Sequence, residues 1–158
     1  MHILGKKWGH LIKTLEVKDG PAGLYPEPRI WAEGKDWEGY QGNFSFGFFK
    51  EPCVCHPVEG AVVHPYDEAL VFAGTDLTNM RNFDGGEISI ELGEEREEHV
   101  FTEPSVVCIP KGTPHGPVRA RKVGRPIAHY LFGLDPVYRA EAIPASARPA
   151  NASSGTKY

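Results

Sequence analysis

No stretch of this sequence approaches the roughly 18 consecutive apolar residues that cross a bilayer as a helix, so a helical membrane span is not expected. Positive charge is in deficit, with 17 Lys and Arg against 21 Asp and Glu and a net charge of -4. That balance excludes the basic face by which proteins hold nucleic acid or anionic membranes. Cysteines are scarce and odd in number, three in all, so a disulfide framework is excluded as well. The opening MHILGKKWGHLIKTLEV is too polar and too broken for a secretory signal. These features predict a cytoplasmic protein. The Asn43-Phe44-Ser45 and Asn151-Ala152-Ser153 glycosylation patterns then carry no meaning.

What is present is ordinary in amount and telling in kind. The chain has 158 residues, 41% hydrophobic and 24% charged, enough for one domain with a substantial core. Its 18 glycines and 14 prolines are too many for a helical bundle and predict short strands joined by tight turns. Residues 1–42 read as an irregular arm broken by Gly20-Pro21, Pro26, Pro28 and Gly34. The aromatics Trp8, Tyr25, Trp31, Trp37 and Tyr40 predict that this arm packs on the domain or on a partner subunit. Residues 43–140 hold the domain. The Ala-, Ser- and Pro-rich tail, 141–158, is expected to be disordered.

Within the domain, NFSFGFFKE alternates with Phe44, Phe46 and Phe48 on one face, the pattern of a half-buried strand. CVCHPVEGAVVH, EALVFA, EISIEL, EHVFT, SVVCIP and PIAHYLFGL continue the series between turn signals such as Asp84-Gly85-Gly86 and Lys111-Gly112-Thr113-Pro114. Seven or so such strands predict an all-β sandwich or barrel. The segment HPYDEALVFAG, residues 64–74, also suits a capped helix starting at Pro65. Either way, His64 and Glu68 point in the same direction, and the all-β context favours the strand.

A second motif follows: Pro110, Gly112 and His115 form P-x-G-x-x-H at the end of a strand. Preceded by Gly60, His64, Glu68 and Gly74, it resembles the paired motifs of the cupin superfamily over about residues 43–134. The resemblance implies a small double-stranded β-helix, or jelly-roll, barrel. It also implies a single divalent metal, Fe, Mn, Zn or Ni, held by His64, Glu68 and His115. The family's first histidine falls at Val62, which cannot ligate. Two imidazoles and one carboxylate make a facial triad with open positions. For a fourth ligand the first choice is His99, turned inward by period two from Phe101; His56 is the second.

The remaining candidates have plainer readings. Cys53 and Cys55 share a strand face and read as buried thiols, and Cys108 as core. His129 reads as core or rim. GEEREEH, residues 93–99, reads as a solvated hairpin that blunts a sheet edge. Arg81, Lys111, Arg119 and Arg121 are solvated surface charges unless a barrel mouth gathers them round an anion.

Such a metal would act on a small oxygen-rich organic molecule, by dioxygenase-type chemistry or by Lewis-acid isomerase, hydrolase or lyase chemistry. Tyr66 and Tyr130 are the candidate proton-moving residues. The alternative is a non-catalytic cupin that binds a small ligand as a sensor or storage domain. Single-domain cupins commonly dimerise through N-terminal strands, so a homodimer built on the aromatic arm is expected.

Overall fold

The computed structural model of the chain describes residues 6–19, 25, 28–57 and 59–145. Among them run the strands β1 (Val17–Lys18), β2 (Arg29–Ala32), β3 (Asn43–Phe49), β4 (Cys53–Cys55), β5 (Ala61–Val63) and β6 (Glu68–Gly74). They are followed by β7 (Glu87–Leu92), β8 (Glu97–Phe101), β9 (Ser105–Ile109), β10 (His115–Lys122), β11 (Ile127–Gly133) and β12 (Glu141–Ile143). Gly9–Leu11 and Gly34–Asp36 are short 3-10 turns, and among the described residues no helix is long and apolar enough to cross a membrane.

The strands form two antiparallel sheets, ordered β1-β2-β3-β11-β6-β9 and β12-β5-β10-β7-β8, with β4 added beside β10. This is the all-β architecture that the strand pattern predicts, in the jelly-roll form that the resemblance implies. β6 decides the ambiguity of residues 64–74: from Glu68 to Gly74 buried and half-buried positions alternate strictly, the period of a strand with one face on a core. Phe49, Leu70, Phe72, Ile88, Ile90, Val118, Ile127 and Leu131 fill the space between the sheets. Each side chain of that size contributes about 1.5–3 kcal/mol by leaving water.

Several expectations change in three dimensions. The face of β3 that enters the barrel is Asn43, Ser45 and Phe49, not the Phe44, Phe46 and Phe48 face. The three phenylalanines lie on the outer side of the sheet, where Phe44 stacks on Tyr130 at 5.9 Å and Phe46 meets Phe48 at 5.1 Å. The arm is not irregular throughout. Its β2 pairs with β3, and Trp37 packs edge-on against Phe44 at 5.1 Å. Within the expected tail, Glu141–Ile143 pairs with β5, while residues 146–158 lie outside the described residues. Cys108 is exposed rather than core, because in β9 it faces away from the barrel beside buried Ile109. Arg96 is buried, not solvated: its Nη2 donates to the carbonyls of Gly60 (2.9 Å) and Gly116 (3.0 Å), tying together the loops around the site.

Candidate metal centre

Four side chains converge inside the barrel. His64 follows β5, Glu68 opens β6, His115 opens β10 and His56 follows β4. Their ligating atoms all lie within 4.8 Å of one another. Glu68 Oε1 is 3.2 Å from His115 Nε2 and 3.3 Å from His56 Nε2, and Oε2 is 3.1 Å from His64 Nε2. All four residues are buried, the most exposed by only 3%.

Local chemistry sets this convergence. The Pro110–Thr113 turn closes with Thr113 N–H donating to the Pro110 carbonyl, and Gly112 N–H donates across to the His64 carbonyl. Lys111 N–H donates to the Asp67 carboxylate at 2.8 Å. The turn that aims His115 is therefore hydrogen-bonded to both ends of the segment carrying His64 and Glu68. His115 sits opposite Val62 in the sheet, so the apolar Val62 faces the group without joining it. His56 takes the fourth place.

The ring nitrogens pointing away from the centre are each tied to oxygen. His64 Nδ1 lies 2.6 Å from the Arg139 carbonyl, His115 Nδ1 3.0 Å from the Thr113 carbonyl, and His56 Nδ1 3.2 Å from the Tyr25 hydroxyl. A carbonyl can only accept, so Nδ1 of His64 and of His115 carries the proton and Nε2 presents a lone pair. Those two Nε2 atoms and Glu68 Oε2 are buried with no hydrogen-bond partner. Lone pairs facing a carboxylate in a buried site repel unless a cation lies between them. Three imidazoles and a carboxylate with orienting outer partners are a donor set for a divalent first-row metal.

The charges respond to this crowding. Burial raises the Glu68 pKa, but in the metal-free chain the His115, His56 and His64 rings, which donate Nε2–H to the carboxylate once protonated, outweigh it and hold the carboxyl well below its ordinary range. Burial pulls His64 down, yet Glu68 and the Arg139 carbonyl bring it out raised; His56 is lowered, by burial first. In the metal-free chain the depressed Glu68 stabilises above its unfolded pKa of about 4.3, and that contribution is lost as pH falls through the folded value. The raised His64 stabilises below about 6.5 and loses this as pH rises through its folded pKa. The lowered His56 costs stability as pH falls below about 6.5. A bound metal needs all three imidazoles neutral. The rise in melting temperature on adding a divalent metal should therefore be larger at pH 7.5 than at 5.5. Scanning fluorimetry with and without metal checks this, and an equal rise at both values would contradict it.

Two residues expected at the site are elsewhere. His99 is half exposed, its Nε2 3.1 Å from Glu97. It pairs with buried Ile90 and so does face inward, but β8 is a sheet edge, where the inward face opens to solvent. Tyr130 points to the outer face of β11, away from the site. Tyr66 is close: its ring stacks on His64 at 5.0 Å, and its hydroxyl accepts from Arg139 N–H at 3.2 Å. Burial, its largest cause, pushes its pKa up to about 12. Arg119 and Arg121 are held by Glu91, Glu87 and Glu98. Lys111 and Arg139 line an open cavity of about 340 Å³ beside His64.

Sequence reasoning missed two tyrosines and ranked His56 second. Tyr25, in the arm, touches His56. Tyr138 packs edge-on to His64 at 5.4 Å with its buried hydroxyl lacking a partner. Neither lies in a motif, and only contact reveals them. His129 is core, stacked between Phe49 at 5.2 Å and Phe72 at 4.5 Å.

No family model matches this sequence, and no curated protein does. Solved structures do match in shape. An oxalate oxidase superposes with a TM-score of 0.54 at 12% identity, over 90% of this chain and 67% of its own. The oxalate decarboxylase of Lactobacillus farciminis gives 0.52 at 12%, over 82% and 33%. Peruvianin-I, described as a cysteine peptidase from Thevetia peruviana latex, gives 0.51 at 12%, over 80% and 73%. This chain spans about a third of the length of the oxalate decarboxylases it matches. Likeness at such identity is likeness of fold, and these three proteins carry different activities on it.

Proposed function

Taking the cupin fold of this chain as the premise, we propose that it is a metal-dependent enzyme acting on a small oxygen-rich organic molecule. The observation that carries the reading is the convergence of three buried imidazole Nε2 atoms on the Glu68 carboxylate. His56, His64, Glu68 and His115 are the proposed ligands. Three neutral imidazoles and one carboxylate would leave a divalent centre with one net positive charge, suited to an anionic or enolisable oxygen ligand.

Such an ion supplies Lewis acidity, and iron or manganese also supplies redox capacity. The chain's residues do the rest. Burial keeps bulk water from the ligands. Tyr66 keeps its proton throughout the neutral range, which supports a role as donor rather than base. Tyr138 offers a second protonated hydroxyl beside His64. Tyr130 has no part in this proposal.

Metal analysis of untagged protein tests the reading. About one equivalent of a single divalent metal is expected. Iron would direct assays to oxygen consumption, and zinc, manganese or nickel to isomerisation, decarboxylation or hydrolysis of small carbonyl acids. No metal after reloading would overturn the proposal and favour the non-catalytic binding domain.

The same reading includes a homodimer through the arm. Trp8, Leu11, Ile12, Leu15 and Val17 expose apolar side chains there, Ile12 by 70% and Val17 by 69%. A run of this kind supports an interaction surface. Light scattering on full-length protein and on a chain starting at residue 19 should give a dimer and a monomer; a dimer in both would remove the arm from the interface.

A further inference from the structure

Arg29 is a buried charge that the proposed centre does not use. It lies in β2 and is 5% exposed. Its described partners are all neutral. Nε donates to Ser45 Oγ at 3.1 Å, Nη2 donates to the His129 carbonyl at 2.9 Å, and the guanidinium lies 4.0 Å over the Tyr25 ring. These bonds use two of the five N–H groups of a guanidinium. Among the described residues no carboxylate pairs with it.

The lack of a side chain at Gly47 lets the Arg29 side chain lie close against β3. A Cβ built on Gly47 would come within 3.2 Å of Arg29 Nη1 and 3.3 Å of Cζ. A cavity of about 130 Å³ adjoins, walled by Tyr25, Arg29, Gly47, Phe49 and Cys53, with Lys50 and Glu51 at its exposed rim. At ~30 Å³ per water, it has room for a molecule of only a few heavy atoms. It is too small for a drug-sized ligand, whose pockets start at about 300 Å³.

A buried cation without an anion is costly, and Arg does not escape by losing its proton at physiological pH. Burial lowers its pKa, which expresses the same cost. A planar carboxylate matches the unused fork of N–H groups side by side. The Phe49 and Cys53 wall accepts a short alkyl stub.

We propose that the cavity at Arg29 binds a small monocarboxylate, at a site separate from the four-residue centre. Tyr25 joins the two. Its ring carries the guanidinium, and its hydroxyl meets His56 Nδ1. An anion at Arg29 is therefore one side chain away from a proposed ligand. The binding itself does not depend on the metal reading.

The test is calorimetric titration of the full chain with sodium formate and sodium acetate, and with sodium chloride as a control. It is run on protein as isolated and again after chelation. Saturable binding of formate or acetate is expected in both, weakened at least tenfold in Arg29→Gln and in Gly47→Ala. Circular dichroism confirms that each variant is folded. If Arg29→Gln fails to fold, Gly47→Ala, which retains the charge but pushes the guanidinium from its place beside the cavity, decides. Absence of saturable binding, or unchanged affinity in the folded variants, overturns the proposal. Chloride binding as tightly as formate overturns the carboxylate assignment. Glu27 precedes Arg29 by two residues and lies outside the described residues. Binding that appears only in Glu27→Gln would mean that the chain supplies its own carboxylate, which also overturns the proposal.

Discussion

His56→Ala and His115→Ala are each expected to leave the purified protein nearly free of metal, while His99→Ala keeps its full complement. The four ligating side chains lie within 4.8 Å of one another and are buried, so none is readily replaced by a neighbour. Binding energies of four-ligand structural zinc sites run to about 10–16 kcal/mol. Loss of one ligand of four then removes roughly 3 kcal/mol, more than a hundredfold in affinity. His99 is half exposed and lies beside Glu97 at the sheet edge, so its removal leaves the four-residue group intact. Plasma mass spectrometry on the three variants, with a competitive chelator titration, makes the comparison. Metal loss in His99→Ala with retention in His56→Ala would reverse the assignment of the fourth ligand.

Gly116→Ala is expected to damage the centre without touching any ligand side chain. Gly116 has φ 89°, and a Cβ there would stand 2.2 Å from the His56 carbonyl oxygen and 2.9 Å from Pro57 Cδ. Two costs combine. A left-handed backbone costs a residue with a Cβ about 1–2 kcal/mol, and the His56 backbone must move as well. The expected result is a melting temperature lower by about 4–8 °C, from roughly 2 kcal/mol at 2–4 °C each, together with at least tenfold weaker metal binding. Gly85→Ala is the control. Gly85 has φ 78° but nothing within 4 Å of a built Cβ, so it carries the backbone cost alone. A folded Gly116→Ala that binds metal like Gly85→Ala would contradict the claim that the close approach of Gly116 and His56 positions the fourth ligand.

Much of this architecture is legible in the sequence. Period two is a property of the extended chain, so the alternation through EALVFAG, together with turn signals between short apolar runs, already specified strands. The same period put His64 and Glu68 on one side. P-x-G-T-P-H named its own turn, because Gly112 at φ 79° and the Pro110 carbonyl close it locally. These features depend on neighbours within a few residues. What failed was the choice of face and depth. Alternation shows that Phe44, Phe46 and Phe48 share a side; which side is covered depends on the other sheet. Tyr130 was lost for the same reason, since it and His129 are adjacent and only one can enter the barrel.

The histidines show the division most clearly. By itself the sequence determined an all-β chain, a turn aiming His115, and a carboxylate and imidazole sharing a face at residues 64 and 68. Only the tertiary structure chose the fourth member. Alternation from Phe101 turned His99 inward, which it is, but β8 closes no neighbour and leaves that inward face open. Alternation from buried Cys55 turns His56 outward. Its φ of 53°, an uncommon left-handed value for a residue with a side chain, breaks the period and returns the ring to the interior. A strand's position in its sheet and one dihedral angle imposed by surrounding loops are set by contacts far along the chain, which a local period cannot carry.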